Sequence, residues 1–114
     1  MSQNKLYTNV GKAASQIQHL ADISYQWEAA QSEPGFRDIS LDALETAGLL
    51  SKQDPFAEEN PWGGTITVAP DRDPRFLDIT FTQIPNKACA NLLQHMKNVA
   101  HNQQCQTNKY IIVL

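Results

Sequence analysis

Residues 65–82, TITVAPDRDPRFLDITFT, decide the fold because they contain two alternating segments joined by a polar turn. The apolar positions on the shared face are Ile66 and Val68 in the first segment and Leu77, Ile79 and Phe81 in the second. Alternation with a period of two residues is typical of a half-buried β-strand. The joining residues 70–75 comprise two prolines and four charged residues, which favours a tight connection. We therefore predict a β-hairpin within residues 60–82.

The segment that precedes this hairpin begins with a long amphipathic helix. Residues 5–31 contain no proline, and their apolar or small positions recur with a spacing of four and three. These positions are Leu6, Val10, Ala13, Ile17, Leu20, Ser24 and Trp27. That spacing predicts one helix with a single apolar stripe. Residues 32–35, Ser-Glu-Pro-Gly, are a strong signal for its end.

Three further elements complete the predicted order. A short second helix begins at the capping residue Ser40 and ends near Gly48. A third helix covers residues 85–101, with a frayed end and a loop at 101–104, and residues 110–114 form a third, buried strand. The predicted fold class is therefore α+β, a long N-terminal helix packed on a small antiparallel sheet with two shorter helices.

Length and charge exclude several classes of function. The 114 residues suit one compact domain, residues 1–114, and the net charge of −3 argues against a nucleic-acid partner. The charge is uneven, because residues 32–60 carry seven acidic and two basic residues whereas residues 83–114 carry three lysines and no acid. A solvated surface explains this division, and so do two complementary patches that meet between copies of the chain.

Reactive side chains do not form a recognisable catalytic or metal-binding pattern. Cys89, His95, His101 and Cys105 are suitable zinc ligands by type, but their spacing is unlike that of zinc modules. Positions six apart on a helix point about 120° away from one another, so Cys89, His95 and His101 cannot converge on one metal ion without breaking the helix. A dyad of Cys89 with His19, His95 or His101 is equally weak, because Cys89 lies on the apolar side of its helix. We therefore expect no enzyme activity, no metal and no cofactor.

Two motifs resemble type IVb pilins. The run Asn60-Pro61-Trp62-Gly63-Gly64, followed by Thr-Ile-Thr-Val, resembles the segment that enters the pilin sheet. Residues 79–85, Ile-Thr-Phe-Thr-Gln-Ile-Pro, followed by Cys89, are similar to the pilin strand, its Ile-Pro corner and the helix with the first cysteine. The resemblance covers about residues 5–105. It implies a pilin-like head whose Asn-Pro-Trp-Gly-Gly motif is structural.

The resemblance also implies partners and a location. Residues 5–31 match only the soluble half of the pilin helix, so we expect an apolar half-helix to anchor the precursor in the inner membrane. Other pilin subunits would pack through Leu6, Val10, Ala13 and Ile17, and residues 6–14 would be exposed in the isolated, monomeric head. A prepilin peptidase and an assembly ATPase would act on the precursor of this extracellular filament. A disulfide between Cys89 and Cys105 is implied as well.

A second hypothesis comes from a different class of protein. A small cytosolic binding or regulatory protein would use the first helix as a dimeric coiled coil, which the spacing permits. Its Cys89 and Cys105 would be free, buried thiols. Counting free thiols separates the two hypotheses.

Overall fold

A computed structural model describes the backbone of residues 2–51, 53–54 and 59–114, with side chains from residue 5. The helices are α1 (Ser2–Ala29), α2 (Leu41–Thr46) and α3 (Asn86–His95). The strands are β1 (Ile66–Pro70), β2 (Leu77–Thr82), β3 (Asn102–Gln106) and β4 (Lys109–Val113). Every neighbouring pair in the order β1-β2-β4-β3 is antiparallel. The predicted α+β fold class is confirmed.

Helix α1 buries the predicted stripe in the core of its own chain. The fully or almost fully buried members are Val10, Ala13, Ile17, Leu20, Ser24 and Trp27. Burying a large aliphatic side chain contributes about 1.5–3 kcal/mol, so this stripe accounts for much of the stability of α1. The helix ends at Ala29, two residues before the predicted end at residue 31, and Glu28 accepts a hydrogen bond of 3.0 Å from the N–H of Gly35. Gly35 has a φ of 105°, a conformation that glycine tolerates.

Helix α2 begins at the predicted cap. The hydroxyl of Ser40 accepts a hydrogen bond of 2.9 Å from the N–H of Ala43, and Asp42 lies in the positive first turn. Leu44 is the fully buried residue of α2, and Gly48 follows the helix with a φ of 77°. The short helix is thus fixed by its cap and by one apolar anchor.

Strands β1, β2 and β4 carry the sheet's share of the core. Ile79 of β2 pairs with Val68 on one side and with Ile112 on the other, and all three are buried. Phe81 of β2 lies in the same layer, next to Tyr110. The predicted alternation in residues 65–82 is therefore confirmed. Among the described residues, no helix combines the length and the hydropathy needed to cross a bilayer.

The C-terminal third differs from the prediction. Helix α3 ends at His95 and not at residue 101, and β3 occupies the part assigned to a frayed end and a loop. The sheet therefore has four strands where three were predicted. Strand β3, Asn-Gln-Gln-Cys-Gln, is an edge strand with mostly exposed polar side chains, so it has no hydrophobic alternation to detect.

Candidate functional site

The Asn-Pro-Trp-Gly-Gly loop is held by a buried amide. Asn60 is 2% exposed, and its Oδ1 accepts hydrogen bonds from the N–H groups of Trp62 (2.9 Å) and Gly64 (3.1 Å). Its Nδ2 donates to the carbonyl oxygens of Thr82 (2.8 Å) and Thr65 (3.3 Å). Without Asn60, these backbone N–H and carbonyl groups would lose their side-chain partner, and leaving a buried polar group without a partner costs free energy. Asn60 therefore fastens the loop to both strands of the hairpin.

The two glycines of this loop have different tasks. Gly63 has a φ of 79°, a turn conformation that side chains rarely adopt. At Gly64 a Cβ would overlap the carbonyl oxygen of Thr82, so this position requires the absence of a side chain. The next residue, Thr65, joins Thr82 through its N–H (2.8 Å) and its hydroxyl (2.9 Å). The loop thus passes directly against the end of β2.

Helix α1 is tied to the same loop. The Nε2 of Gln16 donates a hydrogen bond of 3.0 Å to the carbonyl of Glu59. This contact places the loop beside the middle of α1. Nearer the start of the helix, Val10, Ala13 and Ala14 are at most 4% exposed. The prediction that residues 6–14 are exposed is therefore wrong at these three positions.

The contact predicted between subunits involves side chains that are mostly covered within one chain. Ile17 is fully buried, as are Val10 and Ala13, while Leu6 is half-buried and packs against the core. The subunit contact of these four residues stays a prediction. The apolar residue that α1 does expose near its start is Tyr7, at 62%.

On the opposite edge of the sheet, a disulfide fastens α3 to β3. Cys89 and Cys105 are bonded, with their Cα atoms 6.1 Å apart. Near the other end of α3, the Nε2 of Gln103 donates 2.8 Å to the carbonyl of Leu93, and its Oε1 accepts 2.6 Å from the buried hydroxyl of Tyr110. Burial raises the pKa of that hydroxyl, so it stays a donor. The disulfide implied by the resemblance is present.

Two carboxyl groups interact where β1 turns into β2, that of Asp71 in the turn and that of Asp78 in β2. Burial, followed by a hydrogen bond with Asp71, raises the pKa of Asp78 to about 6. The N–H of Asp73 and the Asp78 side chain hold the pKa of Asp71 below its usual value. Arg75 pairs with Asp73 at 2.6 Å, as a charge-balanced turn predicts.

Charge is divided between the two edges of the sheet. The acidic flank (Asp42, Glu45, Asp54 and Glu59) lies on α2 and on the connection that reaches β1 through Asn60. The basic flank (Lys87, Lys97 and Lys109) lies on and around α3 and the β3–β4 turn, and all three lysines are exposed. Strands β1 and β3 are the opposite edges of the sheet. The acidic flank and the basic flank therefore lie on different elements of the fold.

The candidate metal and nucleophile sets are not assembled. Both cysteines are consumed by the disulfide, so neither is a thiolate ligand or nucleophile in this state. Within residues 2–51, 53–54 and 59–114, no group of three or more ligand-type side chains could hold a metal ion. His101 instead stacks on Phe76 with ring centroids 4.0 Å apart, and His19 lies 3.4 Å from Asp54.

The comparison with protein families agrees with this geometry. A family model described as PilS N terminal matches residues 48–109, more than half of the 114 residues. The chain belongs to this family. PilS is a type IV pilin-related family. The match spans the Asn60 loop, the hairpin, α3 and both cysteines of this PilS chain. No curated protein and no solved structure matched it.

Sequence reasoning missed the amides that hold this PilS head together. Asn60 beside two glycines predicts a turn, and nothing in the sequence indicates that its side chain bridges two strands. Gln16 lies beside the apolar stripe in a helical projection, and this position does not indicate that its partner is Glu59. Gln103 belongs to the strand that the apolar pattern did not detect. In each case a polar side chain bonds to a residue that is not its neighbour in sequence, and a local sequence pattern does not identify that partner.

Proposed function

We propose that this PilS chain is the head of a structural subunit in a type IVb pilus-like filament on the bacterial surface. The filament would serve adhesion, aggregation or conjugative mating. Family membership supports a pilin-related role, and such a role needs surfaces that bind further copies of the chain. It needs neither a catalytic site nor a cofactor.

One observation carries this proposal, the opposite charge of the acidic flank and the basic flank. Two copies in the same orientation bring the lysines of one against the carboxylates of the other, which steers association and fixes its register. Because the flanks are different surfaces, each copy keeps one of each to offer to the next. Such a heterologous contact repeats without closing unless its rotation forms a ring, and an open repeat is a helical filament.

The proposed partners and location follow from the same role. Neighbouring pilin subunits are the main partners, and the peptidase and ATPase of the assembly machinery would act on a membrane-anchored precursor. The Cys89–Cys105 disulfide suits a subunit exported to an oxidising compartment.

Charge reversal and rescue test the proposal. We expect Lys87→Glu with Lys97→Glu, introduced into the precursor in the producing cells, to abolish filaments, because like charges then face each other. Adding Asp42→Lys and Glu45→Lys should restore them. Electron microscopy and the amount of subunit released by shearing are the measurements. Arg37→Glu with Arg72→Glu, an equal change of charge at two exposed positions outside both flanks, is the matched control and should leave filaments intact.

Two results would contradict this function. Unchanged filaments in the double lysine variant would show that the flanks are not the contact. Absence of the chain from any filament in the unsubstituted cells would remove the structural role itself.

No observation favours the cytosolic coiled-coil alternative. That hypothesis needs the apolar stripe of α1 to be available to a partner, yet Ile17 and Leu20 are fully buried within one chain. Titration of free thiols in the purified protein remains its direct test, with two thiols per chain as the result that would revive it.

A further inference from the structure

Helix α1 exposes one large aromatic side chain near its start. Tyr7 is 62% exposed and projects from α1. One turn further along, Gly11 has nothing within 4 Å of the position its Cβ would occupy. A neighbouring molecule can therefore approach the backbone of α1 closely beside Tyr7.

A groove that fits an aromatic ring lies further along the same helix. Its volume is about 280 Å³, and Ile17 and Met96 line its base between α1 and the segment that follows α3. Two exposed apolar side chains, Tyr25 at 47% and Val99 at 55%, lie at its rim. The carboxylate of Asp22 is part of the same lining and is a suitable acceptor for a phenolic hydroxyl.

The aromatic knob and the groove lie on one side of α1. Positions 7, 11, 14, 18, 21 and 25 follow the four-three spacing that keeps residues on a single stripe. Tyr7 and Tyr25 are 18 positions apart, which at 1.5 Å per residue is about 27 Å along the helix. One chain therefore cannot fill its own groove with its own Tyr7.

Charge along α1 complements this arrangement. The first 21 residues contain Lys5 and Lys12 and no acid, whereas residues 22–29 contain Asp22 and Glu28 and no lysine or arginine. A helix dipole favours acidic residues in the first turn and basic residues in the last turn. Helix α1 has no acidic residue in its first turn and no basic residue in its last turn. The basic start of one α1 placed against the acidic end of another relieves this mismatch.

We propose that Tyr7 of one copy inserts into the groove between Tyr25 and Val99 of the next copy, with the two α1 helices parallel and staggered. This inference rests on the proposed function and names a second contact within the same filament, separate from the charged flanks. The knob and the groove are different surfaces, so the contact repeats from copy to copy. A buried aromatic anchor in a fitted pocket is a typical centre of binding energy.

Cross-linking in the purified chain tests the contact directly. A chain carrying both Gly11→Cys and Asn98→Cys, which keeps Tyr7 and the groove lining, is treated with a short bis-maleimide that leaves the native disulfide unreacted. A ladder of dimers, trimers and longer products is expected, because each copy offers both ends of the contact. Ser15→Cys with Asn98→Cys is the matched control, since Ser15 is exposed on α1 but outside the stripe, and it should give no ladder.

The pattern of products decides between arrangements. Equal yields in the test pair and the control overturn the proposal. Products that stop at a dimer also overturn it, because they indicate a closed two-fold pair of antiparallel helices. Mixing the two single-cysteine chains should give only the mixed dimer.

Tyrosine variants separate this inference from the filament role. Tyr7→Ser should weaken self-association about tenfold or more, the loss typical of truncating an aromatic anchor, and Tyr7→Phe should retain it. Sedimentation of the purified chains measures this, and the same two variants are introduced into the precursor in cells. Filaments that are unaffected by Tyr7→Ser leave the proposed function standing and overturn the groove contact. Loss of filaments in the Tyr7→Ser cells, with retention in the Tyr7→Phe cells, supports both.

Discussion

The two edges of the sheet are fastened by different chemistry. At the β1 edge, the buried side chain of Asn60 bonds the entry loop to both hairpin strands. At the β3 edge, the Cys89–Cys105 disulfide joins α3 to an edge strand with few apolar side chains. The first edge depends on close packing and satisfied hydrogen bonds, and the second on a covalent bond. Perturbing either edge should therefore have consequences that the other does not share.

Gly64→Ala should have the largest effect. The new Cβ overlaps the Thr82 carbonyl and lies 2.9 Å from Asn60 Nδ2, so backbone must move at the centre of the β1 fastening. We expect a loss of about 4 kcal/mol or more in the free energy of unfolding, or failure to fold. Urea unfolding followed by circular dichroism is the measurement.

Gly11→Ala is the matched control for that substitution. The same methyl group meets nothing within 4 Å on α1, and replacing a glycine inside a helix by alanine stabilises by about 0.5–1 kcal/mol. Similar effects at the two glycines would mean that the close approach at Gly64 does not hold the loop.

Asn60→Ala should rank second. It leaves the N–H groups of Trp62 and Gly64 and the Thr82 carbonyl without their side-chain partner, and Gly64 is buried. Each buried group left unsatisfied costs about 1–3 kcal/mol, so we expect a total loss of about 3–4 kcal/mol. Asn98→Ala, at an exposed position, should stay within about 0.5 kcal/mol. A loss of that small size at Asn60 would remove the contrast between the two edges.

Reduction of the disulfide should rank third. The cysteines are 16 residues apart, and opening a loop of that size costs about 3 kcal/mol in the chain-entropy account. Urea unfolding with and without a phosphine reductant gives this loss, and Cys89→Ala with Cys105→Ala should reproduce it. Hydrogen exchange should accelerate more at β3 amides than at β1 amides, because local opening at β3 adds to the loss of global stability. Equal acceleration at both edges would show that the fastenings are not independent.

Alternation and capping made much of the fold predictable. The stripe of α1, the paired strands of residues 65–82 and the cap at Ser40 are local patterns, and each forms as its pattern indicates. Strand β3 was missed because an edge strand that faces solvent needs no apolar alternation. Helix α3 was extended too far, since Met96 and Ala100 continue an apolar spacing after the helix has ended at His95.

The contacts that hold the candidate site were less predictable. Gln16 and Glu59 are 43 residues apart, and Asn60 and Thr82 are 22 apart. No local pattern reports on such pairs, because an amide that bridges two elements has the same sequence neighbours as one in solvent. Residues 6–14 were expected to be exposed because other subunits would be their partners, yet Val10, Ala13 and Ala14 are buried within the chain.

The smallest expected effect is on the pH dependence of stability at the turn that ends β1. Asp78 has a pKa of about 6 in the folded chain, above its ordinary value of 3.8, so between these values the folded state binds more protons than the unfolded state. The contribution of Asp78 to stability is therefore complete below about pH 4 and is lost as pH rises through about 6. Asp71, with its lowered pKa, acts in the opposite sense and only below pH 4, where its contribution is lost as pH falls.

Asp78→Asn isolates this contribution. At pH 7 the variant should be the more stable protein by about 1 kcal/mol, less than the full shift implies, because solvent screens a partly exposed carboxylate. The advantage should shrink as pH falls toward 4, where the wild-type carboxyl is protonated and neutral like the amide. Urea unfolding of both proteins at several pH values gives the difference, and Asp22→Asn removes an equal charge from exposed α1. A difference that is constant with pH would show that folding does not raise the pKa of Asp78.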